Sequence, residues 1–120
     1  MSTISESIVL FGIKNCDSVK KARIWLDGKQ LEYRFHDYRV DGLTAVLLQQ
    51  LIDALGVEVV LNQRSTSWRQ LSDEQKRDLN PARTTQLLLE NPTLIKRPIL
   101  HFGNQWLVGF DSTQYAQLLP

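Results

Sequence analysis

The stretch that most constrains this 120-residue chain is its first third, where an apolar run passes into an amphipathic one and then into an alternating one. Ile8-Val9-Leu10-Phe11-Gly12 is short and continuously apolar, the pattern of a buried strand. Residues 17–28 place Val19, Ala22 and Leu26 on one helical stripe with Trp25 at its side, and Gly28 stands where a glycine closes a helix. Residues 33–38 hold the alternating Tyr33 and Phe35 of a second strand. Two strands joined through a helix pair in parallel, with a right-handed crossover.

The middle of the chain reads as helical. Asp41-Gly42 opens a second helix with Val46, Leu47, Leu51, Ala54 and Leu55 on its apolar face and Gly56 at its end. Residues 57–61 fit a short helix or extended chain, and 62–68 are polar and irregular. Ser72 with Gln75 makes a capping-box pattern, and a further helix spans about residues 84–90, before Asn91-Pro92. The last third changes character. Residues 99–102 and 105–108 read as strands joined at Gly103-Asn104, a two-residue turn with glycine first. Asp111 then caps a last helix that includes Tyr115, Leu118 and Leu119.

The order is β-α-β, a helical block, then β-β-α. The reading is an α/β chain with a mixed four-stranded sheet, one domain over residues 1–120, and a helical insertion at about 41–92. A net charge of +1, from 14 basic and 13 acidic residues, gives no broad footprint for nucleic acid. No apolar run approaches the ~20 residues of a membrane span. Residues 1–7 carry Glu6 and no basic group, so a signal peptide is not expected. With one cysteine no internal disulfide can form, and a reducing, cytoplasmic location is the expectation.

That cysteine, Cys16, stands at the handover from the first strand to the first helix, with Lys14 before it and Lys20 and Lys21 after it. Free backbone N–H groups and the positive end of the helix dipole favour a thiolate there, and cysteines so placed titrate well below about 8.5. Asn15 and Asp17 read as turn and capping residues, and the Asp17 charge opposes thiolate formation. Arg64 lies in a hydroxyl-rich loop with Ser65, Thr66 and Ser67, and Trp68 is near enough in sequence to rim an anion pocket. His36 and His101 fall in strands and read as structural, and Trp25, Trp68 and Trp106 read as packing residues, with pocket rimming a second reading for Trp68 alone. Without a second cysteine or carboxylates at ligand spacing, no metal site is expected.

The segment Phe11-Gly12-Ile13-Lys14-Asn15-Cys16-Asp17-Ser18-Val19-Lys20-Lys21-Ala22-Arg23 resembles the cysteine turn and helix of the arsenate reductase-like family, which includes the Spx-type regulators and the YffB-like branch of suggested glutathione-dependent thiol reductases. Asn91-Pro92-Thr93-Leu94-Ile95-Lys96-Arg97-Pro98-Ile99 resembles the family's arginine–proline motif, and Val108-Gly109-Phe110 resembles the matching Spx-type stretch. The resemblance implies a thioredoxin-like fold, with Pro98 in the cis form facing Cys16. Of the three arginines that hold the oxyanion in arsenate reductases, it matches Arg97 to one and Arg64 to a second. Gly109-Phe110 stands where the third would be, and Lys14-Asn15 replaces a small, proline-containing approach to the cysteine. Val19 takes the place of the second cysteine of Cys-x-x-Cys sensors.

These residues lead to a monothiol oxidoreductase with Cys16 as nucleophile. Lys14, Asn15, Arg64, Arg97 and Pro98 form its substrate or anion site. No cofactor is bound. Glutathione acts as co-substrate, and the other substrate is a thiol, disulfide or oxyanion. The rival reading is an Spx-like transcription regulator docking on RNA polymerase, with no direct nucleic-acid or membrane binding; near-neutral charge suits a protein partner. Arsenate reductase ranks third, for want of the third arginine.

Overall fold

The computed structural model describes residues 7–120. The expectation about a signal peptide falls on residues 1–6, which lie outside them, apart from Ser7. The described residues divide into two compact units, one of residues 7–41 and 97–120 and the other of Gly42–Lys96.

The first unit is built on a four-stranded sheet of β1 (Ile8–Gly12), β2 (Arg34–Asp37), β3 (Ile99–Phe102) and β4 (Gln105–Val108), in the order β2-β1-β3-β4. β1 and β2 are parallel, with Phe11 opposite His36. β3 runs antiparallel to β1, with Phe11 opposite Ile99, and β4 antiparallel to β3. The sheet is therefore mixed, as the segment order requires. Helix α1 (Asp17–Gly28) joins β1 to β2, and its buried stripe is Val19, Ala22 and Leu26. Ala22 and Leu26 form a core cluster with Ile8, Leu10, Leu100, Tyr115 and Leu119, with Trp25, Phe35, Leu107 and Phe110 packing at its edge. Burying each large aliphatic side chain contributes roughly 1.5–3 kcal/mol. Gly12 is needed where α1 crosses β1: a Cβ there would stand 2.7 Å from Val19 Cγ2.

The end of α1 differs from the sequence reading. Gly28 is still helical, and the left-handed residue is Gln30, at φ +58°. Gln30 N–H donates to the Asp27 carbonyl (3.0 Å) and Leu31 N–H to the Leu26 carbonyl (3.2 Å), which is a Schellman closure. Leu31 packs on the core from that position, and this apolar contact fixes the stopping point two residues beyond the glycine. At the Gly103-Asn104 hairpin, Gly103 has φ +62°, as a glycine-first turn requires. The last helix, Ser112–Leu118, is capped by Asp111, whose carboxylate accepts from Thr113 N–H and Gln114 N–H.

The second unit is helical: α2 (Ala45–Leu55), α3 (Val57–Val60), α4 (Thr66–Arg69), α5 (Asp73–Lys76), α6 (Pro81–Glu90) and a 3-10 turn at Pro92–Leu94. α2 starts at a Thr44 cap rather than at Asp41-Gly42. Its buried residues are Leu48 and Leu51, while Val46 is 71% exposed. Val46 lies about 200° around the helix from Leu48, so it belongs to the opposite face. Residues 57–60 resolve as helix, and Leu61 bridges to Ile95. Within the stretch read as irregular, Ser65 caps a helical turn. The Ser72/Gln75 capping box is present. α6 begins at Pro81, three residues before the sequence reading, because Asn80 caps it and proline suits the first helical position.

Candidate functional site

Cys16 is itself the N-cap residue of α1, with extended backbone (φ −140°, ψ 126°) and no side-chain capping hydrogen bond. Its thiol is free and half-buried. Its carbonyl accepts the first helical bond, from Lys20 N–H (2.9 Å). The thiol therefore stands beside the unpaired N–H groups that open a 12-residue helix. Lys14 and Asn15 are exposed in the loop before it, and Asp17 is exposed in the first turn.

The β1–β3 register brings the second part of the site to the same end of the sheet. With Phe11 opposite Ile99, the antiparallel strands put Pro98 and Arg97 where β1 runs out at Gly12 toward the cysteine loop. The Arg97–Pro98 peptide bond is cis. Pro98 is buried and immediately precedes β3, where its missing N–H costs no ladder bond. Gly109 N–H donates to the Pro98 carbonyl (2.8 Å), so the Gly109-Phe110 stretch tethers the proline rather than supplying a cation. Phe110 turns inward onto Tyr115, at 4.9 Å between ring centroids.

Five of the six residues singled out from sequence, Cys16, Lys14, Asn15, Arg97 and Pro98, thus belong to the sheet unit, at one end of its sheet. Arg64 belongs to the helical unit. It is exposed, its N–H donates to Asn62 Oδ1 (3.1 Å), and it borders an open cleft of about 430 Å³ with Glu58, Asn62 and Lys96. Trp68, in the same unit, has Lys76 Nζ 5.2 Å above its ring. His36 packs on Phe11 and His101 stacks on Trp106. Among the described residues no group of His, Cys, Asp and Glu could hold a metal ion.

Two residues at this end of the sheet escaped the sequence reading. Asp37 is buried, and its carboxylate collects three backbone N–H groups: Lys14 on Oδ2 (3.0 Å), and Arg39 (2.8 Å) and Val40 (3.3 Å) on Oδ1. Burial pushes its pKa up, but these bonds and the Arg39 charge outweigh it and hold the carboxyl below its usual 3.8. Tyr38 is buried against Phe11, its N–H bonded to the Gly12 carbonyl (2.9 Å), and its hydroxyl has no hydrogen-bond partner. Burial raises the Tyr38 pKa above 10.0, against the pull of the Arg97 charge. The available signal was an acidic residue closing an aromatic strand, His36-Asp37-Tyr38.

Comparison with known proteins agrees with this fold. The model of the ArsC family matches residues 11–118, and the chain belongs to that family. It is 46% identical over 108 residues to an uncharacterized protein of Haemophilus influenzae, covering 90% of this chain and 95% of that one. It is 24% identical to the global transcriptional regulator Spx of Lactiplantibacillus plantarum, over 94% of this chain and 86% of that protein. Among solved structures, a YffB protein superposes with a TM-score of 0.88 at 43% identity, covering 95% of this chain and all of that one. The fold is thus the thioredoxin-like α/β fold of the ArsC family. No helix among the described residues is long and apolar enough to cross a membrane.

Proposed function

We propose that this chain is a glutathione-dependent monothiol oxidoreductase. The observation that carries the reading is Cys16 at the N-cap of α1: a single free thiol, uncommitted to capping, beside helix N–H groups. Membership in the ArsC family and the likeness to a YffB protein support it.

The Cys16 thiolate attacks the glutathione sulfur of a mixed disulfide. The S–S bond breaks, the substrate sulfur leaves as a thiolate and takes a proton, and Sγ becomes linked to glutathione. A second glutathione thiolate attacks the glutathione sulfur of this mixed disulfide, releasing the Cys16 thiolate and oxidised glutathione. In sum, a mixed disulfide and one reduced glutathione become a free thiol and oxidised glutathione. Because Cys16 is the only cysteine, the resolving thiol has to come from outside the chain. Arg97 binds a glutathione carboxylate, Lys14 adds positive charge beside the thiolate, Asn15 shapes the loop, and Pro98 lines the groove. The family pattern also matches Arg64, which lies in the helical unit.

The test is intact mass after exposure to oxidised glutathione. One glutathionyl adduct is expected, removed by reduced glutathione, absent in Cys16→Ser and slower to form in Arg97→Ala. No adduct on the wild-type chain would overturn the proposal. The alternative is an Spx-like regulator docking on RNA polymerase, favoured by the likeness to Spx along 94% of the chain. Under that reading polymerase is retained in pull-downs by wild type and Cys16→Ser alike. Arsenate turnover would instead favour the third reading, an arsenate reductase lacking one arginine.

A further inference from the structure

A buried carboxylate needs several donors to stay ionised, and Asp37 divides its donors unequally. Oδ1 serves the turn that follows, through Arg39 and Val40 N–H, as an aspartate opening a turn does. Oδ2 reaches 23 residues back along the chain to Lys14 N–H. Its own N–H donates to Asp41 Oδ2 (2.8 Å), and Asp41 N–H to the Asp37 carbonyl (2.7 Å), so the carboxylate sits on a doubly braced turn. The loop it grips is also held at its base, where Tyr38 N–H donates to the Gly12 carbonyl (2.9 Å). Ile13 is buried at one end and α1 starts at the other, while the side chains of Lys14 and Asn15 are exposed.

We propose that Asp37 is a positioning residue for Cys16, its Oδ2 pinning the loop two residues before the thiol so that Sγ is held at the first turn of α1. The inference rests on the thiol chemistry proposed above and adds a residue to it. The carboxylate acts through the Lys14 amide and touches no substrate.

Asp37→Asn is the selective perturbation. The amide keeps the shape but offers one carbonyl oxygen, which can serve the adjacent turn or Lys14 and not both. The NH2 group then faces an N–H donor. The turn is closer along the chain, so Lys14 is released. Three quantities are measured on wild type and variant: hydrogen exchange at the Lys14 amide with that at Leu10 as reference, the rate of Cys16 glutathionylation by oxidised glutathione, and the rate of its alkylation by iodoacetamide. Lys14 exchange should accelerate while Leu10 stays protected. Glutathionylation, which needs a docked and aligned partner, should slow roughly tenfold or more. Alkylation by the small reagent should change less than threefold. A merely structural role would lower stability without moving the ratio of the two rates.

Equal Lys14 exchange, or an unchanged rate ratio, would overturn the inference. If the wild-type chain takes no glutathione adduct, the proposed function fails; the Lys14 exchange result then still decides whether the clamp exists. Should Asp37→Asn not fold, Lys14→Pro against Lys14→Ala poses the same question. Only the proline removes the N–H, and only it should depress the rate ratio beyond the loss of the side chain.

Discussion

Replacing Gly12 by alanine tests how tightly α1 is seated on β1, and with it the placement of Cys16. The added Cβ would stand 2.7 Å from Val19 Cγ2, about 0.7 Å short of ordinary contact, with Val19 Cγ1 at 3.6 Å and Phe35 Cε1 at 3.8 Å. Val19 is fully buried and β-branched, so its methyl cannot swing aside at low cost. Overpacking of this kind costs about 1–3 kcal/mol, and the loss of glycine's unfolded-state freedom returns about 0.4–1 kcal/mol. The net expectation is a destabilisation of about 1–2 kcal/mol, a fall in Tm of roughly 3–8 °C for a chain of this size. Denaturant titration of Gly12→Ala, Val19→Ala and the double variant would measure it. In the Val19→Ala background the clashing methyl is gone, so Gly12→Ala should cost nothing or stabilise. The coupling should exceed the ~0.5 kcal/mol scatter of independent sites. An unchanged or raised midpoint for Gly12→Ala alone, or additivity in the cycle, would refute the argument.

Tyr38→Phe should raise Tm, because an unpaired buried hydroxyl costs about 1–3 kcal/mol; a lower Tm would mean that the hydroxyl is satisfied in solution. Asp37 has a depressed folded-state pKa, so its contribution to stability is present above about 3.8 and lost as pH falls through the lower folded value. Between pH 5 and pH 2 the wild type should therefore lose more stability than Asp37→Asn in urea titrations at each pH; parallel curves would count against the assignment. Gln30→Gly should stabilise by about 1 kcal/mol, since Gln30 holds a left-handed backbone at φ +58°, and an unchanged unfolding midpoint would contradict it. Asp111→Ala should cost about 1 kcal/mol by removing the acceptor for Thr113 and Gln114 N–H, measured the same way.

Much of the fold was legible because local patterns and tertiary demands coincide. The Val19, Ala22, Leu26 stripe is the buried face of α1 without exception. The last two strands, the glycine-first turn and the Asp111 cap also stand where the residues put them. Some readings moved. In α2, Val46 shares a face with Gln49, Gln50 and Asp53, so the helical period itself sets it opposite the buried Leu48 and Leu51, and grouping it with the apolar residues followed its residue type rather than its position. α1 closes through a left-handed Gln30 rather than at Gly28 because Leu31 had a place in the core to reach. Of the site, Cys16 was visible as the one thiol at a strand–helix handover. Asp37 was not, because a lone aspartate in a strand gives no hint that its partner is an amide 23 residues away.

By itself the sequence determined the order of elements, the parallel start of the sheet, and, with one cysteine, that no disulfide can form within these 120 residues. Each follows from short-range pattern or from a count, and neither needs the chain to be folded. Tertiary structure decided the rest of the site. The β1–β3 register carries Arg97 and Pro98, some eighty residues downstream, to the end of the sheet where Cys16 begins its helix. Burial of Asp37 turns an ordinary turn aspartate into a clamp on the cysteine loop. Strand pairing and burial are properties of contacts between distant segments, and no local pattern encodes which distant groups will meet.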